Sequence, residues 1–309
     1  MNTEIENINA EIPVVKKRPG RPRKTPPQQP KQKKGIVCAP EDAAHYIEFL
    51  YDKPQVFKKL LQFFKLMSVE KLHITFTNNS IVIYCVDCHK KINTHVKIDC
   101  SKVNHYFCKN ELDIGLSRSN LGLIMATIDR TYESILLLST NDNIQKNIQV
   151  ILKNNTDIDE TYKIELIGEY DKSLDNEKFL DNNYMVKFKL TGKYFKKMIS
   201  DIKSFTDSIT IRKDGPNENL IFEFTGTDKK IKSERICKKN ETISLSDNLG
   251  EDDTFRTTFK IDYVNSISSA LLDENIEIYA DEDKPLKFIV QMDEAIEIII
   301  LTNILDMRN

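Results

Sequence analysis

The sequence predicts an α+β fold built from two similar halves, and three observations carry this reading. The stretch Gly168–Asn183 holds five acids and two lysines with no run of period 2 or 3.6, which marks an exposed connector. The segments on either side of it are each of ordinary domain length. Both place their elements in the same order (strand, helix, three strands, then the same again), an internal repeat that constrains the fold more than any single element does.

Taken in order, the first half is expected to open with strand Tyr46–Tyr51 and helix Lys53–Met67. Val56, Phe57, Leu60, Leu61, Phe63, Phe64 and Met67 give the helix a broad apolar face, with Lys58, Lys59, Gln62 and Lys65 opposite. Strands follow at Leu72–Phe76, Ser80–Cys85, Thr94–Asp99 and Asp113–Leu116, then helix Arg118–Ile128. Strands Ser134–Ser139, Ile148–Leu152 and Tyr162–Leu166 complete the half.

The second half is expected to run strand Met185–Leu190, helix Gly192–Phe205, then strands Ser208–Arg212, Leu220–Thr225 and Ile231–Ile236. Strand Thr254–Ile261 leads into helix Asp262–Leu272, followed by strands Glu274–Tyr279, Leu286–Gln291 and Ala295–Thr302. Helix Gly192–Phe205 repeats the earlier design, with Phe195, Met198, Ile199, Ile202 and Phe205 inward and Lys193, Lys196, Lys197 and Lys203 outward. A lysine-bearing helix face is ordinarily just a solvated surface. Its return at the same place in both halves points to a shared task. The expected organisation is a tail over 1–43, a first domain over 44–167, the connector over 168–183 and a second domain over 184–309.

Charge is distributed unevenly. The chain of 309 residues carries a net −2, but residues 1–34 hold nine Lys/Arg against three acids, so the tail is +6 and the body −8. Seven of the ten prolines fall within residues 1–43, which reads as a disordered segment. A basic tail on an acidic body suggests contact with a polyanion. Within the tail, Lys16-Lys17-Arg18-Pro19-Gly20-Arg21-Pro22-Arg23-Lys24 resembles an AT-hook, whose Gly-Arg-Pro core lies extended in the minor groove. Pro19 stands where the strongest hooks carry a second arginine. The bland readings are a generic basic tail or a nuclear localisation signal. No apolar run approaches the ~18 residues of a membrane span, and no signal-peptide core is visible. No membrane partner is expected.

The segment from Cys85 to Cys108 gathers Cys85, Cys88, His89, His95, Cys100, His105 and Cys108. Cys85, Cys88 and His89 match the spacing of covalent haem attachment, but that chemistry needs export, for which no signal is seen. Zinc suits thiolates and imidazoles at close spacing. However, neighbouring strand residues point to opposite faces, and no second Cys-x-x-Cys completes a ribbon. Ordinary strand packing is the expectation, with no metal site and no cofactor. There is no phosphate loop, no Gly-x-Ser-x-Gly and no His-Glu-x-x-His, so no catalytic residues and no enzyme activity are expected.

The duplicated order, with one lysine-faced helix per strand group, resembles the sliding DNA clamps of the proliferating cell nuclear antigen family. Short stretches agree. Val86-Asp87-Cys88 sits in the place of a Met-Asp-Ser turn, and Tyr106-Phe107-Cys108 in that of a Tyr-Arg-Cys stretch. Asp113-Ile114-Gly115-Leu116 fits the segment entering the second helix, and Asp283-Lys284-Pro285-Leu286 an Asp-Val-Pro-Leu stretch before the last hairpin. The tail, Val103-Asn104-His105-Tyr106 and Ile128-Asp129-Arg130 resemble the clamp-like proteins of asfarvirus-type large DNA viruses.

The resemblance implies two α/β domains with outer sheets and inner helices facing duplex DNA, closed into a homotrimeric ring that serves a DNA polymerase as processivity factor. Other replication or repair proteins would be partners, in the nucleus or at a cytoplasmic viral replication site. The implied DNA-binding set is Arg18, Arg21, Arg23, Lys58, Lys59, Lys65, Arg118, Lys193, Lys196, Lys197 and Lys203. Helix Asp262–Leu272 departs from the pattern in having no Lys or Arg. A partner pocket beneath the connector would draw on Phe179, Leu180, Pro285, Ile299, Leu301 and Ile304. The trimer would close through the strands of Ile148, Val150 and Leu152 and of Ile221, Phe222 and Phe224, taken as open edges. Two other readings stand beside this one. One is a clamp-fold monomer or heteromer that does not encircle DNA, and the other is a zinc-stabilised DNA-binding regulator.

Overall fold

The two halves of the chain meet inside a single sheet. The computed structural model describes residues 46–139, 146–154, 159–168, 176–226, 231–237 and 244–303. The tail, with Arg18, Arg21 and Arg23, and the pocket residue Ile304 lie outside them. In the first half the strands are β1 Ile47–Tyr51, β2 Lys71–Phe76, β3 Ser80–Val86, β4 Ile92–Asp99, β5 His105–Cys108, β6 Leu112–Ser117, β7 Tyr132–Ser139, β8 Asn147–Asn154 and β9 Glu160–Glu165. In the second half they are β10 Val186–Thr191, β11 Ser208–Asp214, β12 Leu220–Thr225, β13 Lys232–Cys237, β14 Ser244–Asp247, β15 Thr254–Lys260, β16 Asn275–Ala280, β17 Leu286–Gln291 and β18 Ile296–Thr302. The helices are α1 Pro54–Leu66, α2 Arg118–Thr127, α3 Asn176–Leu180, α4 Gly192–Lys203 and α5 Ile261–Ala270.

The strand order makes the duplication explicit. A five-stranded sheet β5-β1-β7-β8-β9 in the first half has its counterpart in β14-β10-β16-β17-β18, and β4-β3-β2-β6 has its counterpart in β13-β12-β11-β15. Within the chain β18 pairs antiparallel with β4, from Ile296 opposite Ile98 to Thr302 opposite Ile92. Two sheets thereby fuse into one of nine strands, β14-β10-β16-β17-β18-β4-β3-β2-β6. This shared sheet makes the described halves one compact unit.

The longer helices cover the inner face of these sheets. Proline at the first position starts α1, where its missing N–H costs nothing. Thr191 caps α4, its hydroxyl oxygen accepting from the Tyr194 N–H. Phe57, Leu60, Leu61 and Phe64 of α1 and Phe195, Met198, Ile199 and Ile202 of α4 are buried, each contributing roughly 1.5–3 kcal/mol. The α1 helix packs on α2, α4 on α5, and α1 on α5, so the four form one row in the order α2, α1, α5, α4.

Three expectations are corrected. The structure adds a short strand to each half beyond the expected elements, β5 and β14, each only four residues long. The connector is not exposed throughout, since it contains α3 and buries Phe179. Finally, the strands taken as open edges are interior. The β8 strand bonds to both β7 and β9, and β12 to both β11 and β13. Ile148, Val150, Leu152, Phe222 and Phe224 are buried in the core, and Ile221 is half-buried within the interior strand β12. Their regular alternation marks strands covered by a helix layer. The edge strands next to them, β9 and β13, carry more polar sequences, Glu-Thr-Tyr-Lys-Ile-Glu and Lys-Ser-Glu-Arg-Ile-Cys.

Candidate nucleic-acid interface and connector groove

The structure divides the expected basic helix residues into two groups. Lys65, Lys193 and Lys197 are exposed on the helix row. The others are engaged within the chain. Lys58 Nζ donates to the carbonyls of Ala126 at 3.3 Å and Ile128 at 2.5 Å, closing the C-terminal end of α2, where a cation also meets the helix dipole. Lys59 forms an ion pair with Glu274, just beyond α5. Lys196 Nζ donates to Asn265 Oδ1 at 2.9 Å and Ser269 Oγ at 2.7 Å on α5. Burial, helped by nearby Lys203, holds the Lys196 pKa below the usual lysine value. Lys203 pairs with Asp262 at the start of α5, at 2.7 Å. Arg118 Nε donates to the Val69 carbonyl at 3.0 Å. Lys59 and Lys203 remain about half exposed and keep charge on the row surface.

On the opposite face of the nine-stranded sheet, cross-strand neighbours form a row: Ile289, Ile299, His95 and Tyr84. Phe179 of α3 lies on it, 2% exposed, in a cluster with Ile299 and Leu301. Its ring centroid is 5.4 Å from that of His95 and 6.4 Å from that of Tyr84. Expected as a wall of a groove, Phe179 instead fills it. Leu180 beside it is 70% exposed, and Pro285 is half-buried, its carbonyl accepting from the Tyr184 hydroxyl at 3.1 Å.

Two further residues build this site: Lys287, which no sequence motif marks, and His95, which the sequence offers only as one of the Cys85–Cys108 group. Lys287 is fully buried, and its ammonium donates to the carbonyls of Phe179 at 2.7 Å and Asp181 at 2.8 Å and to Asn182 Oδ1 at 2.9 Å. Burial lowers its pKa below the ordinary lysine value. His95 sits against Phe179 with Nδ1 unpartnered, and burial, followed by Lys97 and Lys287, lowers its pKa to about 4. Lysine in the middle of a strand was the only available signal, and alternation alone reads it as solvent-facing.

The cysteines and histidines from Cys85 to Cys108 are spread over different surroundings. Cys85, Cys100 and Cys108 are buried and Cys88 is exposed, while His105 meets Glu48 at 2.8 Å. Among the described residues no group of three or more His, Cys, Asp or Glu could hold a metal ion.

The helix row and the outer sheets end at the same two places. The α2 helix packs beside β9, and α4 beside β13, where Arg235 pairs with Asp201 of α4 at 3.0 Å. Apolar side chains are exposed at both ends. Leu123 is 72% exposed beside an open cleft between α2 and β9 that is lined by Asn120, Ile124, Tyr162 and Ile164. Ile236 of β13 and Tyr194 of α4 are exposed at the other end.

No family model matches the sequence. An uncharacterized protein of African swine fever virus is 26% identical over 287 residues, covering 90% of this chain and 94% of the viral protein, and the same protein recurs in several isolates of that virus. Among solved structures, the proliferating cell nuclear antigen of Entamoeba histolytica superposes with a TM-score of 0.71 at 14% identity, covering 84% of this chain and 99% of that one. That of Thermococcus kodakaraensis gives 0.70 at 15% identity, over 84% and 100%. The chain has the DNA clamp fold of the proliferating cell nuclear antigens, and the sequence relatives it matches are viral.

Proposed function

We propose that this protein is a sliding DNA clamp, a non-enzymatic ring that encircles duplex DNA and holds a DNA polymerase to its template. One observation carries the reading. The β18–β4 pairing inside the chain joins two strands whose counterparts, β9 and β13, are sheet edges at opposite ends of the helix row. Repeating the internal junction between copies pairs β9 of one with β13 of the next. The same step brings α2 beside the next α4, which continues the helix row. Such a head-to-tail contact closes into a ring when its rotation permits. It also covers two edges that would otherwise invite uncontrolled pairing.

Geometry favours three copies, which supply twelve helices. At about 9–10 Å between neighbouring axes, their axes describe a circle roughly 36 Å across, leaving about 25 Å clear of the helices themselves. Two copies would leave about 13 Å, hardly more than the ~12 Å width of the DNA major groove alone. A ring holds DNA by topology, so its inner face needs only weak, sequence-blind phosphate contacts. Lys65, Lys193 and Lys197, with Lys59, Lys203 and Arg118 as partly engaged charges, suit that task because lysine is a flexible point charge. The acidic body discourages DNA from binding elsewhere. Arg18, Arg21 and Arg23 of the tail add counterion-releasing contacts. Other replication or repair proteins are assigned to the connector side, wherever the DNA is copied, in the nucleus or at a cytoplasmic viral site.

The test combines mass with topology. Light scattering should give three times the 35.8 kDa chain mass. Protein loaded on closed circular DNA should be retained in high salt and released when the circle is cut. A monomer at micromolar concentration, or equal retention on cut and closed DNA, overturns the encircling ring.

A further inference from the structure

The helix-bearing parts of the two halves correspond residue by residue. Pro54 and Gly192 open α1 and α4, and from there Phe57 falls on Phe195, Lys58 on Lys196, Lys59 on Lys197 and Lys65 on Lys203. In α2 and α5 the buried Leu121 and Ile124 fall on Val264 and Ile267. Continuing that register sets Ser119 on Asp262, Ile128 on Leu271 and Thr131 on Glu274.

The correspondence extends to bonding. Lys58 and Lys196, both fourth after the helix start, each bridge to the second helix of their own half. Lys203 pairs with Asp262, whereas the counterparts of that pair are Lys65 and the uncharged Ser119. The lysine fifth after the helix start behaves differently, because it reaches out of its own half. Lys59 crosses the α1–α5 contact to Glu274 and so ties the first half to the second. The α4 helix carries the same lysine, Lys197. It is exposed at the end of the helix row, where the described chain offers no further helix.

Building on the ring reading, we propose that Lys197 is a junction residue. It faces Thr131 of the next copy as Lys59 faces Glu274 within the chain. At that position the internal ion pair keeps only its lysine, because Thr131, whose hydroxyl donates to Asp129 at 2.6 Å, stands where the internal junction has Glu274. At this position the internal junction is pinned by an ion pair that the one between copies lacks. The partner surface is therefore a second copy of this chain, at its turn between α2 and β7.

The experiment supplies the missing half. Sedimentation of the full chain over a dilution series is compared for wild type, Thr131→Glu, Lys197→Met and the double variant. An exposed ion pair strengthens one contact by about threefold. With three junctions formed together, Thr131→Glu should raise the overall association constant about thirtyfold, Lys197→Met alone should change it less than twofold, and the double variant should lose the gain. Ser119→Glu, which puts an acid at the counterpart of Asp262 within the chain, should leave association unchanged. Thr131→Asp repeats the test if the glutamate variant folds poorly. An associating wild type whose Thr131→Glu and Thr131→Asp forms associate no more tightly overturns the junction assignment alone, as does a gain that survives loss of Lys197. A wild type that stays monomeric throughout overturns the ring reading itself and this assignment with it.

Discussion

The ammonium of Lys287 lies 2.7 Å from the carbonyl oxygen of Phe179, across 108 residues of sequence. A fully buried lysine thus has its acceptors in the connector, and the connector has its anchor in the second-last strand. Cation and aromatic plug act on the same five-residue helix, which is far too short to be stable alone.

Lys287→Met should leave the Phe179 and Asp181 carbonyls without their donor, and Phe179→Ala should empty the groove over Ile299 and Leu301. Because the connector lies outside the main core, both changes should free it locally more than they unfold the protein. Hydrogen exchange across 178–183 should speed up at least tenfold in each, with the protection of β17 and β18 largely retained. Unchanged exchange in that segment would show that neither residue holds it.

The buried His95 makes stability depend on pH. Its pKa is lowered to about 4 in the folded state, chiefly by burial, against about 6.5 when unfolded. The unfolded chain therefore binds the proton first, so stability is full above about pH 6.5 and is lost as the pH falls towards about 4. Between pH 7.5 and pH 5 the loss should be about 2 kcal/mol. His95→Phe should flatten this part of the profile, as read from urea midpoints.

Gly192 is required by a close approach of helices. A Cβ at this position would sit 1.9 Å from the Leu271 carbonyl oxygen, a backbone atom that cannot swing aside. Gly192→Ala should destabilise the protein by about 2 kcal/mol or more, as overpacking against fixed atoms does, and the melting temperature should fall accordingly. An alanine variant of wild-type stability would mean that α4 and α5 can separate freely.

Lysines engaged within the chain and lysines exposed on the row should respond differently to substitution. Lys65→Glu and Lys193→Glu should weaken DNA binding several-fold at low salt, with the difference shrinking as salt rises. Lys58→Met and Lys196→Met should chiefly lower the melting temperature, because each removes two hydrogen bonds between helices. Lys97→Glu on the outer face should leave DNA binding unchanged. Equal losses of affinity at Lys65 and Lys97 would mean that overall charge, not the helix row, meets DNA.

Most of the fold was legible because its signals are local and doubled. The amphipathic faces of α1 and α4 repeat almost residue for residue, and a pattern that recurs is hard to misread. What escaped depends on contacts distant in sequence. The four-residue strands β5 and β14 are too short to show alternation. The α3 helix exists only because Phe179 finds a socket built by strands of both halves. The open edges were placed one strand too far inward, because alternation marks burial of one face and says nothing about hydrogen bonding along a strand's sides. Lys58 and Lys196 read as solvent lysines until the neighbouring helices supply their acceptors.

The seam between β18 and β4 also has a consequence in time. Residues 92–99 leave the ribosome about 200 residues before their partner, residues 296–302. Until then β4, with its run of Val96, Thr94 and Ile92, bonds on one side only, which is a standing invitation to pair with another nascent chain. Pairing across about 200 residues is also entropically late. The first half should therefore collapse early and wait, its completion gated by the arrival of one strand of the second half. Truncation before Ile296 should yield an aggregating product in place of a smaller folded one.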